Sequence, residues 1–567
     1  MKNEILKIVR KIYHGMPFYI KEIILFLYKK YNWFKKNNYP KIYPLKASGK
    51  ILVGEPFLEN SSGYGYYGFF YKEAFFFDTD NPMIYNMLKY EIYLAKESNE
   101  IDFAIDSESI IPIAIKNSRM FTDKKSSINI KFKFNNKIEK IKVLPQNRYN
   151  YFKFDKNVTI YSDAMFYIAD PILLTQKKLK KNEKKLVVVL FFDALTGDII
   201  NNKLSDIMPN TSNFFKEGII FKNCYSNSEY TYTSLASIFS GKYVKNIDFF
   251  NVRSKEDELL GKNFKIFSEY FHNQDYYTTL ISGNNSQNPY SGYSKGFDRT
   301  IYRNHLKAEE IFNEFYESSK LFAERDSFYW LSFLDTHHLI DYVPSIDVQA
   351  DMNLSDYEYK INGEDVKTPF SLYSKSSTER YKKNLTKIDD YLKDFYKYLK
   401  DNYKDNEYTV VFLSDHAASS TIDIDHAKHI TRLLKSEKLH VPLMIKDSQF
   451  KGAVSNELME NVDILPTLLE LTNIKYNISD FDGRTSSHLG GASREYVFAE
   501  SIYPKQTYKA TIKTREIEFF LEAEHYTGED GLINLGNYET FNIGQVDYEK
   551  NKLKIFEEKI LNHIKKS

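Results

Sequence analysis

The chain has 567 residues, 42% of them hydrophobic and 27% charged, with a formal net charge of +2. That length exceeds a single ordinary core and predicts two domains, and the near-neutral charge gives no reason to expect a nucleic-acid partner. A single cysteine, Cys224, excludes an intrachain disulfide and leaves nothing in favour of an oxidising compartment.

Residues 1–47 are basic. Eleven Lys and Arg side chains, from Lys2 to Lys46, face only Glu4 and Glu22. Apolar residues recur at helical spacing on either side of His14-Gly-Met-Pro17, first Ile5, Ile8, Val9 and Ile12, then Ile20, Ile23, Ile24 and Leu27. Two basic amphipathic helices are expected, either lying on an anionic membrane surface as a peripheral contact or packing on the body of the protein. No uncharged run is long enough to span a bilayer, and no signal-peptide pattern is present, so a cytoplasmic protein is expected.

Residues 48–176 carry short apolar runs between polar turns, such as Ile101-Asp-Phe-Ala-Ile105, Ile128 to Phe134 and Ile138 to Leu144. They predict a β-rich accessory domain, a sandwich in form. The aromatic run Gly63 to Tyr71 reads as packed aromatics, with a sugar-stacking surface as the alternative. The Lys177 to Lys185 stretch marks the domain boundary.

Beyond it, Leu186-Val-Val-Val-Leu-Phe-Phe-Asp193 is an unbroken apolar run that ends in a carboxylate. Such a run reads as a strand buried on both faces in a parallel sheet, and ligands of open α/β sheets sit beyond the carboxyl ends of the strands. Phe328 to Asp335-Thr-His337-His338 and Tyr408 to Ser414-Asp415-His416 repeat the pattern. A fourth run, Gly218 to Tyr225, leads into Thr231-Tyr-Thr-Ser234 and an apolar stretch closed by Gly241, which predicts a helix capped by hydroxyls with its positive dipole end among them. Asp193, Asp415 and His416 are zinc- or manganese-type ligand residues, and the Thr231 oxygen would complete a four-coordinate shell.

These residues resemble the alkaline phosphatase and sulfatase superfamily. Thr231 to Gly241 is similar to the sulfatase nucleophile motif, with Thr231 at the nucleophile position. Ser414-Asp415-His416, the Val441-Pro-Leu-Met-Ile run, Asp463-Ile-Leu-Pro-Thr467 and Asp482-Gly-Arg-Thr485 follow in the family's order. The resemblance implies an α/β fold, an alkaline phosphatase-like sandwich with a largely parallel central sheet over residues 184–545, followed by a C-terminal helix over 546–567. It also implies a divalent metal on Asp193, Asp415 and His416, and substrate contacts among His337, His338, His426, Lys428 and His429. A histidine four residues after Asp335 would complete a second metal site, but that position is Leu339.

Sulfatases convert Cys or Ser to an aldehyde; Thr would give a ketone, and Leu235 stands where their motif has Arg. Thr231 instead resembles the nucleophile of bacterial phosphoethanolamine and O-methyl phosphoramidate transferases. The resemblance therefore implies transfer of a substituted phosphoryl group, from a donor that could be nucleotide-linked, to a hydroxyl of a surface or capsular glycan. Those transferases usually carry Glu at the first metal position, whereas Asp193 is closer to the hydrolase habit. A phosphodiesterase or phosphatase of the same fold is the first alternative, and a catalytically silent glycan-binding protein the second.

Overall fold

The computed structural model describes residues 41–44, 46–47, 50–51, 64–70, 90–115, 128–135, 137–143, 149–174, 184–247, 249, 260, 264–287, 292–303, 305–337, 348, 350–353, 375–418, 434–503, 506–528, 532–544 and 550–564. Of the sequence expectations, the first 40 residues and His338, His426, Lys428 and His429 lie outside that set. Within the segment expected to be helical, Lys41–Pro44 is instead a strand paired antiparallel to Tyr64–Phe70.

The centre of the fold is a mixed sheet. Its strands in chain order are β1 (Tyr90–Phe103), β2 (Leu186–Phe192), β3 (Ile219–Tyr225), β4 (Tyr277–Ser282), β5 (Arg299–Tyr302), β6 (Ser327–Phe333), β7 (Tyr408–Ser414), β8 (His440–Lys446) and β9 (Ala453–Glu460). Pairings give the spatial order β1-β5-β4-β6-β2-β7-β8-β3-β9. From β5 to β9 all strands run parallel except β8, which is antiparallel to both neighbours.

All seven residues of β2 are buried, and alternate ones serve different cores. Val187, Val189 and Phe191 pack with Leu235, Phe239 and Trp330 on one face. Leu186, Val188, Leu190 and Phe192 pack with Ile311, Phe315, Leu385 and Phe395 on the other. The period of two along a strand thus divides one apolar run between two layers of helices, which explains why the run shows no alternation. The first layer includes α2 (Thr231–Ser240); the second includes α1 (Gly197–Ile207), α3 (Ala308–Leu321) and α4 (Lys375–Asn402).

The N-terminal β-rich region is not hydrogen-bonded to itself alone. Glu91 to Tyr93 of β1 pair with Arg299 to Ile301 of β5, so the accessory strands extend the central sheet. The strand Val158–Ala169 divides the accessory sheet: its first half pairs with Ile128–Phe134 and its second with Ser109–Ile115. Ile111, Ile113, Ile130 and Phe132 from the two branches meet in one core, the sandwich-like arrangement that their alternation predicts.

At the other end, β10 (Val497–Ser501), β11 (Thr507–Lys513), β12 (Ile517–Tyr526) and β13 (Tyr538–Gly544) form an antiparallel sheet. The helix Lys550–His563 buries Phe556 and Ile560 against it. Among the described residues no helix is long and apolar enough to cross a membrane.

Candidate active site

The carboxyl ends of β2, β4, β6 and β7 and the start of α2 meet at one point. Asp193 follows β2 and is fully enclosed, its backbone N–H donating to the Phe333 carbonyl at the end of β6. Ala194 turns the chain away with a left-handed φ of 58°, unusual for a residue with a Cβ. Three bonds hold that turn: Ala194 N–H donates to Asp415 Oδ1 at 3.1 Å, Leu195 N–H to Ser414 Oγ at 2.8 Å, and Tyr381 O–H to the Ala194 carbonyl at 3.1 Å. The ends of β2, β7 and α4 are thereby tied together.

Asp193, Asp415 and His416 each present a ligand atom, all within 4.8 Å of one another and all buried. His416 Nδ1 lies 3.0 Å from the Ala417 carbonyl, which can only accept, so the ring proton sits on Nδ1 and the Nε2 lone pair faces the cluster. Asp415 uses Oδ1 for backbone donors, while its buried Oδ2 has no hydrogen-bond partner. Burial, and after it the charge of Asp415, push the Asp193 carboxyl well above the usual carboxylate range; bonds from Asn284 and Thr231 pull it back. A divalent cation fits this donor set. Two enclosed carboxylates and an imidazole lone pair converge, and one carboxylate oxygen lacks any protein donor.

Thr231 is the first residue of α2, which runs to Ser240 and closes on Gly241 at φ 66°. The expected hydroxyl cap is absent: the N-cap is Tyr230, in extended conformation, and no side chain caps the helix. No side chain thus competes for the N–H groups at the start of α2, the end of a helix that favours negative charge. Thr231 Oγ1 lies 3.2 Å from His416 Nε2 and 3.4 Å from each Asp193 carboxylate oxygen. His337 also reaches the site, its Nε2 3.9 Å from Asp193 Oδ1. His440 bonds Asp198 and the Lys222 carbonyl, neither of them part of the cluster.

Sequence reasoning missed three residues. Asn284 Nδ2 donates to Asp193 Oδ2 at 2.6 Å, Thr336 Oγ1 to the Asp193 carbonyl at 2.5 Å, and Asn461 Nδ2 to the Asp415 carbonyl at 2.8 Å. Asn284 stands two residues beyond the buried strand β4, and an apolar strand ending in Ser-Gly-Asn was the available signal.

A parallel-sheet sandwich that brings the Thr231 hydroxyl and an Asp/Asp/His cluster together at its strand ends matches an alkaline phosphatase-type enzyme fold. The family model described as Sulfatase matches residues 185–474, just over half of the chain, and the chain belongs to that family. Sulfatase-like enzymes use a divalent metal, and a buried Asp/Asp/His cluster that could hold one is present here. The phosphonate monoester hydrolase from Silicibacter pomeroyi is similar in structure, with a TM-score of 0.50 at 14% identity over 68% of this chain and 95% of that one. A protein of the alkaline phosphatase superfamily from Vibrio parahaemolyticus gives 0.45 at 13% identity, covering 69% and 90% of the two chains. No curated protein sequence matches the chain.

Proposed function

We propose that this enzyme moves a substituted phosphoryl group, of the phosphoethanolamine or O-methyl phosphoramidate type, onto Thr231 and from there to a sugar hydroxyl of a bacterial surface or capsular glycan. The observation that carries the reading is Thr231 Oγ1, held at the uncapped start of α2 within 3.4 Å of Asp193 and His416. In the first step Oγ1 bonds to phosphorus, the bond to the donor's leaving oxygen breaks, and the Oγ1 proton leaves toward the acceptors around it. In the second, a sugar hydroxyl oxygen bonds to phosphorus and loses its proton, the Oγ1–phosphorus bond breaks, and Oγ1 regains a proton to restore the Thr231 hydroxyl. A divalent cation on Asp193, Asp415 and His416, zinc or else manganese, supplies positive charge that favours the alkoxide and offsets charge on the phosphoryl oxygens. The N–H groups opening α2 add positive potential at the same place. Thr231 cannot become an aldehyde, which argues against sulfate ester hydrolysis.

A nucleotide-linked donor, a cytoplasmic site of action and peripheral membrane contact through residues 1–46 belong to the same proposal and rest on the sequence. Hydrolysis is the second reading: the similarity to a phosphonate monoester hydrolase supports the same first step, with water as acceptor.

The test is incubation with zinc or manganese and a nitrophenyl phosphodiester or phosphonate monoester, followed by acid quench and mass spectrometry. An adduct on the Thr231 peptide is expected, lost in Thr231→Ala and kept in Thr231→Ser. Turnover by Thr231→Ala would overturn the covalent step. Faster nitrophenol release with added sugars, and a sugar phosphodiester product, would select transfer over hydrolysis.

A further inference from the structure

The chain has 46 tyrosines and 43 phenylalanines, yet among the described residues the large hydrophobic side chains left exposed are Ile, Val and Met apart from Tyr503, at 41% exposure. Tyr503 lies in the connection between β10 and β11, and its place relative to the nucleophile is set by several bonds. Asn227 Nδ2 donates to the Phe498 carbonyl at 2.8 Å, and Glu500 N–H donates to the Asn227 carbonyl at 3.0 Å. Tyr230, the residue before Thr231, donates its hydroxyl to the Ile502 carbonyl. The Tyr230 ring meets the Tyr503 ring edge-to-face, centroids 5.3 Å apart at 79°. Gln506 N–H closes the turn on the Tyr503 carbonyl at 3.0 Å. An exposed aromatic ring is thus held against the side chain of the residue that precedes Thr231, a partner that is itself only 9% exposed.

An aromatic ring left partly exposed against the residue that precedes Thr231 forgoes part of the burial that the rest of the chain achieves, and a ligand can recover it. A pyranose ring matches such a surface: its axial C–H face is apolar and its rim carries hydroxyls. We propose that Tyr503 is the stacking platform for the sugar ring of the acceptor, a role that rests on the transfer reading above and names the part of the site that recognises its acceptor. The contact is uncharged, so it does not weaken with salt. It also assigns the C-terminal sheet a share in acceptor choice.

Saturation-transfer NMR tests this without donor, metal or turnover, using the full chain with the methyl glycosides of glucose, galactose and N-acetylglucosamine and with lactose. Saturation of axial ring protons is expected for the wild type and for Tyr503→Phe, reduced about fivefold in Tyr503→Leu, which keeps an apolar side chain but loses the ring face. Saturation of none of these sugars by the wild type, or equal saturation by Tyr503→Leu, overturns the proposal. Unchanged melting temperature in Tyr503→Leu separates lost stacking from lost fold. Sugar binding that depends on Tyr503 in a protein that never forms the Thr231 adduct would refute the transfer reading and leave the stacking surface standing. An adduct at Thr231 with sugar binding indifferent to Tyr503 would do the reverse.

Discussion

Replacing Asp193 with Asn should stabilise the metal-free protein and abolish its stabilisation by divalent cations. The ligand atoms of Asp193 and Asp415 lie within 4.8 Å of each other, both enclosed. At an effective dielectric constant of about 20, two unit charges at that separation repel by about 3 kcal/mol. Uptake of a proton by Asp193 limits this cost, as its raised carboxyl indicates. A carboxyl raised on folding contributes stability that is complete below its unfolded value, about 3.9, and that is lost as pH rises through the folded one. Metal-free wild type should therefore lose stability on going from acid to neutral pH, and Asp193→Asn should lose less. At roughly 2 °C per kcal/mol for a large chain, the full repulsion sets an upper bound of about 6 °C on how much higher the variant should melt near pH 7.5 in chelator. Cation at a hundred times its dissociation constant should add about 2.7 kcal/mol to the wild type and little to the variant. Scanning fluorimetry with chelator, zinc or manganese over pH 4–8.5 measures all of this. A metal-free variant no more stable than wild type, or one that zinc and manganese stabilise equally, would refute the reasoning.

Asn284→Ala frees Asp193 Oδ2 from its donor and should weaken divalent-cation affinity about 10- to 100-fold, measured by competition against a chromogenic chelator. Glu500 is fully buried, and burial raises its carboxyl to about 7 despite a 3.0 Å bond from Tyr508. The wild type should lose on the order of 3 kcal/mol as pH rises from about 4.3 through 7, and Glu500→Gln should flatten that loss in denaturant titrations at fixed pH values. Arg299 bonds Glu91 through Nε and Nη2, each at 2.7 Å, where β1 joins β5. Arg299→Leu strands Glu91 without its charge partner and should cost about 3–5 kcal/mol, with hydrogen exchange rising first in β1.

What was legible in the sequence was whatever depends on local pattern. Unbroken apolar runs ending in Asp193 and Asp415 can only be strands covered on both faces, and the site had to lie where they end. Gly241 closes α2 because a left-handed position favours a residue without Cβ. Order along the chain identified Thr231, Asp193, Asp415 and His416 as a set. Other features depend on atoms that come close only after folding. No pattern announces that Tyr230 rather than a hydroxyl occupies the N-cap, because the bond to Ile502 that holds it spans 272 residues. Asn284 is one asparagine among many until β4 sets it beside β2 and its amide meets Asp193. Alternation along the accessory strands reports burial of a face and says nothing about a strand's edge, so the pairing of β1 with β5 is visible only in the folded chain. Pattern along the chain determines which faces are buried; only tertiary structure decides which edges and polar atoms meet, since a hydrogen bond depends on tenths of an ångström and is indifferent to sequence separation.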